Sequence, residues 1–107
     1  MFELQKELMQ KYGVNVNNID TKNGQRTIKD LIFNIVEELF EGSNCLKNRV
    51  WTQTEPVTDM NHFLEEISDA LLFFIEFLIA TGLTPEQVFE LYLKKHQVNQ
   101  FRIESKY

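Results

Sequence analysis

Cysteine, proline, glycine and tryptophan are all scarce in this 107-residue sequence, and the scarcities narrow what it can be. A single cysteine, Cys45, cannot form an internal disulfide, which suits a reducing cytoplasm. Two prolines and four glycines break the chain at few places, and no repeat, low-complexity tract or strand ladder is visible. Bases are outnumbered: 11 Lys and Arg face 16 Asp and Glu, for a net charge of −5. That balance argues against a partner that is a nucleic-acid polymer, because such binders present a net basic face. Long apolar runs are also missing. The most apolar stretch, Ala70 to Ala80, is about half the length needed to span a bilayer and carries Glu76, so no membrane segment is expected. Phe2-Glu3-Leu4-Gln5-Lys6 mixes charge into the N-terminus and does not read as a signal peptide. The length allows one domain, 1–107, with a modest core that association with further copies would help.

What the sequence does contain is helical periodicity. Phe2, Leu4, Leu8 and Met9 mark a first helix closed by Gly13, and the polar stretch from Asn15 to Arg26 reads as a loop. Thr27 is a plausible N-cap for a second helix from Ile28 to about Gly42, with Leu31, Ile32, Ile35, Val36, Leu39 and Phe40 as its core stripe. Gly42-Ser43-Asn44 weakens that helix, and the chain to Thr58 reads as irregular. Asp59 can cap a third helix from Met60 to about Thr81, ended by Gly82. Thr84-Pro85-Glu86-Gln87 is a capping box with Pro at N1, opening a fourth helix that runs to Phe101 or beyond. The expected fold is an all-α four-helix bundle. On the third helix Phe63, Leu64, Ile67, Ala70, Leu71, Phe74 and Leu78 make the ordinary core stripe, and Leu72, Phe73, Phe77 and Ile79 widen it. A helix this apolar is buried on most sides, either as the central helix of a monomeric bundle or at a subunit interface, and the small size favours a homodimer or homotetramer.

Two carboxylate pairs stand out, Glu38/Glu41 and Glu66/Asp69, each acid-x-x-acid, with 24 residues between Glu41 and Glu66. Positions three apart share a helix face, so two packed helices can aim four carboxylates at one small volume. Their mutual repulsion calls for hard cations such as Mg²⁺. Glu66 projects among Phe63, Ala70, Phe73 and Phe77, where an unpartnered charge is expensive. Position alone leaves two readings open, a metal site or a structural acid cluster. Glu37, Glu65 and Glu76 read as a solvated face, His62 and His96 as polar surface, and Cys45 as a small apolar filler. On the fourth helix Lys95, Asn99 and Arg102 share a face and offer cations and an amide to phosphate oxygens, although basic residues also suit a helix C-terminus. Lys47, Arg49 and Trp51 lie between the acid pairs, where an indole can stack on a base.

Glu37-Glu38-x-x-Glu41 followed by Glu66-x-x-Asp69 resembles the EExxE…ExxD signature of the all-α, MazG-like nucleotide pyrophosphohydrolases. Within that superfamily the chain is most similar to the dimeric dUTPases, along nearly its whole length. Phe2 to Leu8 resembles their opening helix, Lys47 to Trp51 their basic-aromatic loop, and Tyr92 to Arg102 with Tyr107 their phosphate-binding tail. The tail departs from the usual Lys-Asn at Lys95-His96 and from Gly-Tyr at Lys106-Tyr107. The resemblance implies hydrolysis of a nucleoside triphosphate between the α- and β-phosphates, dUTP first and dCTP or another dNTP second. It implies that Glu38, Glu41, Glu66 and Asp69 hold Mg²⁺, or Mn²⁺, with Glu38 also catalytic toward the attacking water. Lys95, Asn99, Arg102 and Tyr107 would bind phosphates, and Gln5 and Trp51 would lie near the base. The alternative is a helical interaction or nucleotide-binding protein that keeps the scaffold without catalysis.

Overall fold

The computed structural model describes residues 1–13, 18–46, 53 and 58–105. They form α1 (Phe2–Lys11), α2 (Lys22–Leu46), α3 (Met60–Thr81) and α4 (Pro85–Glu104), with no strand among the described residues. The chain is all-α. Among these helices no single one is long and apolar enough to cross a membrane.

The start of α2 differs from the expectation and shows why. Thr21, not Thr27, supplies the cap: its hydroxyl accepts from Gly24 N–H at 3.0 Å, the third-position bond of an N-cap. Asn18 prepares the entry by accepting from Asp20 N–H at 2.8 Å through its side chain and from the Thr21 hydroxyl at 2.6 Å through its carbonyl. Thr27 instead turns its hydroxyl back onto Asn23 O inside the helix. At the other end α2 continues through Gly42-Ser43-Asn44 to Leu46. Helix propensity disfavours that stretch, but Gly42 and Cys45 are buried there, and packing against α3 outweighs the roughly 1 kcal/mol glycine cost.

The third helix obeys its sequence signals closely. Asp59 accepts from His62 N–H at 3.2 Å as N-cap, and Gly82 ends the helix with φ of 90°, a left-handed conformation suited to glycine. The Thr84–Gln87 capping box then forms in full, with bonds of 2.9 and 3.2 Å, and starts α4 at 103° to α3.

Packing is concentrated between α2 and α3. Ile28 and Leu31 meet Phe73, Phe77 and Ala80, while Gly42 lies against Phe63 and Glu66, so the two helices run antiparallel. α1 lies on the far part of α3, burying Met9 against Ile75 and Ile79 with Phe2 beside them. α4 contributes no buried residue, so these helices do not close into a four-helix bundle within one chain.

The apolar surface is divided differently from the expected stripes. The band of α3 buried inside the chain is Glu66, Ala70, Ile75, Ile79 and Ala80, with Phe73 and Phe77 half-buried. Of the expected core stripe, Ala70 is buried and Phe63 and Leu78 are half-buried, but Leu64, Ile67, Leu71 and Phe74 face outward, with Leu71 49 % exposed. On α2 the same division holds: Ile28 and Leu31 are buried, but Ile32, Val36, Leu39 and Phe40 are exposed, Phe40 to 67 %. Contact within the chain therefore uses one face of the α2–α3 pair and leaves another apolar face open. The radius of gyration is 17.9 Å, against about 13 Å for a compact domain of this length.

Two glycines of α2 should respond oppositely to alanine. A Cβ on Gly24 would collide with the Asn18 carbonyl, whereas one on Gly42 would meet Glu66 and Phe63 at ordinary contact distances of 3.7 to 3.9 Å. Gly24→Ala is expected to cost about 1–3 kcal/mol. Gly42→Ala is expected to gain about 0.5–1 kcal/mol. Urea denaturation midpoints of both variants check this; equal shifts of the same sign would contradict the packing described.

Candidate acid cluster and metal site

Glu38 comes from the middle of α2 and Glu66 and Asp69 from the first half of α3, at the crossing that Gly42 permits. Because the two helices are antiparallel, the second half of α2 faces the first half of α3, and the two acid-x-x-acid pairs arrive at the same level. One carboxylate oxygen from each of Glu38, Glu66 and Asp69 lies within 4.8 Å of the others. Glu41 stands at the exposed rim, outside that set, and interacts with both Glu38 and Glu66.

Burial makes this arrangement demanding. Glu66 is only 8 % exposed, and its Oε1 is 3.0 Å from His62 Nε2, one turn earlier on α3. Glu66 Oε2 and Glu38 Oε2 are buried without a hydrogen-bond partner. A buried carboxylate oxygen left unpartnered is costly, and two on facing helices call for a shared positive charge. A divalent cation with a preference for oxygen ligands fits this donor set: three to four carboxylates, no thiolate and no imidazole free of other bonds. Glu38, Glu66 and Asp69 would hold it, with Glu41 in reach from the rim.

Protonation supplies a partial substitute for such a cation. Glu38 is pushed up to about 7, first by its hydrogen bond with Glu66, then by burial and by the charges of Glu41, Glu66 and Asp69. Glu41 is also raised, chiefly by its hydrogen bond and charge interaction with Glu66. Glu66 is lowered, because Glu38, Glu41 and His62 all serve its ionised form. The carboxyls titrate as a unit that retains a proton into the neutral range.

An apolar pocket of about 290 Å³ adjoins the cluster, lined by Glu38, Leu39, Gly42, Ser43, Leu46, Phe63 and Ile67. It opens onto the exposed apolar face, so the acid cluster and that face share a border at Leu39 and Ile67.

The other candidate residues fall elsewhere. Gln5 is buried on α1 and donates Nε2–H to Glu76 Oε1 at 2.7 Å. Glu76 is seven residues beyond Asp69 on nearly the same face of α3, about 10 Å along the helix. It is half-buried and raised by burial, not the solvated acid the sequence suggested; the signal missed was its place inside the most apolar stretch. Lys95, Asn99 and Arg102 share a face of α4, but α4 leaves α3 at 103°, twelve residues beyond Asp69. Lys95 is thereby held roughly 20 Å from the acid cluster of its own chain. Trp51 and Tyr107, with Lys47, Arg49 and Lys106, lie outside the described residues. Sequence reasoning also missed His62, whose i, i+4 spacing to Glu66 was the available signal.

The proton on Glu38 makes stability depend on pH. In the folded chain Glu38 holds its proton up to about 7, against an ordinary 4.5, so the folded state binds it more tightly than the unfolded chain does. That contribution is complete below the ordinary value and is lost as pH rises through 7. Glu66, being lowered, acts the other way and loses its contribution only in acid. In EDTA the melting temperature is expected to fall from pH 5 to pH 8, with Glu38→Gln flattening the slope and Mg²⁺ or Mn²⁺ restoring stability at pH 8. A melting temperature that rises over this range in EDTA would contradict the assignment.

Compared with known proteins, the chain matches no protein-family model, no curated protein and no solved structure.

Proposed function

We propose that this chain is a Mg²⁺-dependent nucleoside triphosphate pyrophosphohydrolase of the MazG-like kind, with Mn²⁺ able to substitute. Its first substrate is dUTP, cleaved with water to dUMP and pyrophosphate, with dCTP or another dNTP second. The observation that carries this reading is the meeting of Glu38, Glu66 and Asp69 within 4.8 Å, with two of their oxygens buried and unpartnered. Bound there, a divalent cation supplies charge neutralisation for the triphosphate and makes water a better nucleophile.

The chain's own residues have distinct tasks. Glu66 and Asp69 anchor the cation from α3, and Glu41 closes the site from the rim. Glu38, facing Glu66 and Asp69 from α2, is the group to accept the proton of the attacking water, a role assigned by the resemblance. Gln5, about 10 Å along α3 from Asp69 and tied to Glu76, stands at a distance suited to a base whose phosphates lie at the acids. Trp51 is assigned to the base and Tyr107 to the phosphates by resemblance alone.

The phosphate-binding face of α4 requires a second copy in this reading. Lys95, Asn99 and Arg102 are too far from their own acid cluster, and α4 buries nothing. The chain exposes 8859 Å² for a mass of 12.7 kDa, where a compact monomer would expose about 6,200 Å². An excess of roughly 2,600 Å² is in the range that obligate homodimers bury. A homodimer or homotetramer that covers Leu64, Ile67, Leu71, Phe74 and Phe40 would bring cations of one copy toward the carboxylates of another.

The same exposed band favours a second reading, a non-catalytic helical protein that docks a partner or binds nucleotide. Titrating Mg²⁺ and Mn²⁺ calorimetrically, with and without nucleotide, separates the two: binding of neither ion favours the non-catalytic protein.

Incubation with each dNTP and Mg²⁺ is expected to yield monophosphate and pyrophosphate, fastest with dUTP. Glu66→Gln should lower the rate at least ~100-fold. Turnover of no triphosphate, or full activity in Glu66→Gln, would remove the hydrolase reading. For the assembly, light scattering coupled to size exclusion should give a dimer or tetramer, and Leu71→Glu should shift it toward monomer and reduce turnover. A wild-type monomer at micromolar concentration would contradict this arrangement.

A further inference from the structure

We propose that His62 is a positioning residue for the acid cluster: by holding Glu66 Oε1 from the solvent side, it leaves Oε2 as the atom that Glu66 presents to a divalent cation. The inference rests on reading the cluster as a cation site, and not on any particular substrate.

The two oxygens of Glu66 have unlike surroundings. Oε1 is 3.0 Å from His62 Nε2, while Oε2 is buried without a partner, as is Oε2 of Glu38 across the helix crossing. The His62 side chain is 57 % exposed and that of Glu66 10 %, so the imidazole covers the carboxylate from outside and does not compete for the space among the acids. Without that bond Glu66 would keep only its carboxyl neighbours Glu38 and Glu41 as partners, and the crowding of acids within 4.8 Å would favour swinging it outward. An imidazole one turn earlier opposes that swing, since Nε2 donates to the carboxylate in the Nε2–H tautomer and in the protonated ring. Hydrogen-bonded partners of this kind commonly orient a ligating carboxylate and raise metal affinity.

A purely structural role fits the geometry poorly. The bond joins residues of one helix and ties no two elements together, and the start of α3 is already capped by Asp59. Removing the ring should therefore leave the fold intact and alter the cation site.

Mn²⁺ binding, read by the loss of the free-ion EPR signal, tests this in the full chain with His62→Ala, His62→Gln and Glu66→Gln. His62→Ala is expected to weaken Mn²⁺ binding about 10-fold or more. His62→Gln, whose amide N–H can donate in the same place, should recover most of it. Circular dichroism should stay close to wild type for both His62 variants, with the melting temperature in EDTA at pH 6 lowered more by alanine than by glutamine. Wild-type affinity in His62→Ala, with Glu66→Gln impaired, would overturn the inference while leaving the cation site standing. So would a glutamine variant no better than alanine, or a directly coordinated ¹⁴N from His62 in pulsed EPR of the Mn²⁺ complex. A wild-type chain that binds no Mn²⁺ would overturn both the inference and the cation-site reading.

Discussion

Glu38, Glu66 and Asp69 meet where α2 crosses α3, and the repulsion among them must be relieved by protons or by a cation. That requirement conflicts with the chain's own packing. The α2–α3 crossing is the largest contact in the chain, and it is the same crossing that brings the acids together. Separating the helices would relieve the charges but expose Ile28, Leu31 and Ala80; holding them together buries two carboxylate oxygens without partners. Hydrophobic packing prevails, and the electrostatic cost is confined to one place. There it appears as a proton that Glu38 keeps to about pH 7. Residues that oppose their neighbours so directly are concentrated at functional sites, because elsewhere a neutral side chain would serve the fold better.

A second imbalance is hydrophobic. α4 has a complete capping box and a well-formed start, yet none of its residues is buried. Local signals therefore determine that it is a helix, while the described residues of the same chain bury none of it. α4 leaves apolar surface such as Phe89, Tyr92 and Phe101 exposed, which another apolar face could cover. The α2–α3 pair presents one: Ile32, Val36, Leu39 and Phe40 on one helix, Leu64, Ile67, Leu71 and Phe74 on the other.

The sequence was most legible where short-range chemistry decides. Asp59, Gly82 and the Thr84–Gln87 box mark the ends of α3 and the start of α4 as expected, because a cap depends on three or four adjacent residues. The start of α2 was misread because Thr27 and Thr21 are both plausible caps, and the choice turns on Asn18 bracing the loop. The acid pairs were legible through their i, i+3 spacing, which is fixed by helix geometry. His62 was read as polar surface because its i, i+4 spacing to Glu66 gains meaning only once Glu66 is known to be buried. The core stripe was the largest misreading. Periodicity locates apolar faces on α3 but cannot say which face meets the same chain: of the expected stripe Ala70 is buried, while Leu64, Ile67, Leu71 and Phe74 are left outside.

The electrostatic and hydrophobic imbalances are one problem seen from two sides. The apolar pocket lined by Leu39, Phe63 and Ile67 has Glu38 on its wall, so the open face begins where the acid cluster ends. Covering that face would exclude water from the rim of the cluster, strengthening repulsion among the carboxylates and raising the demand for a cation. A cation held there would in turn remove the repulsion that acts to part α2 from α3 at their crossing, and so favour the face that a second copy would cover. Association and cation binding would then reinforce each other through a shared border, each helping to satisfy what this chain alone leaves open.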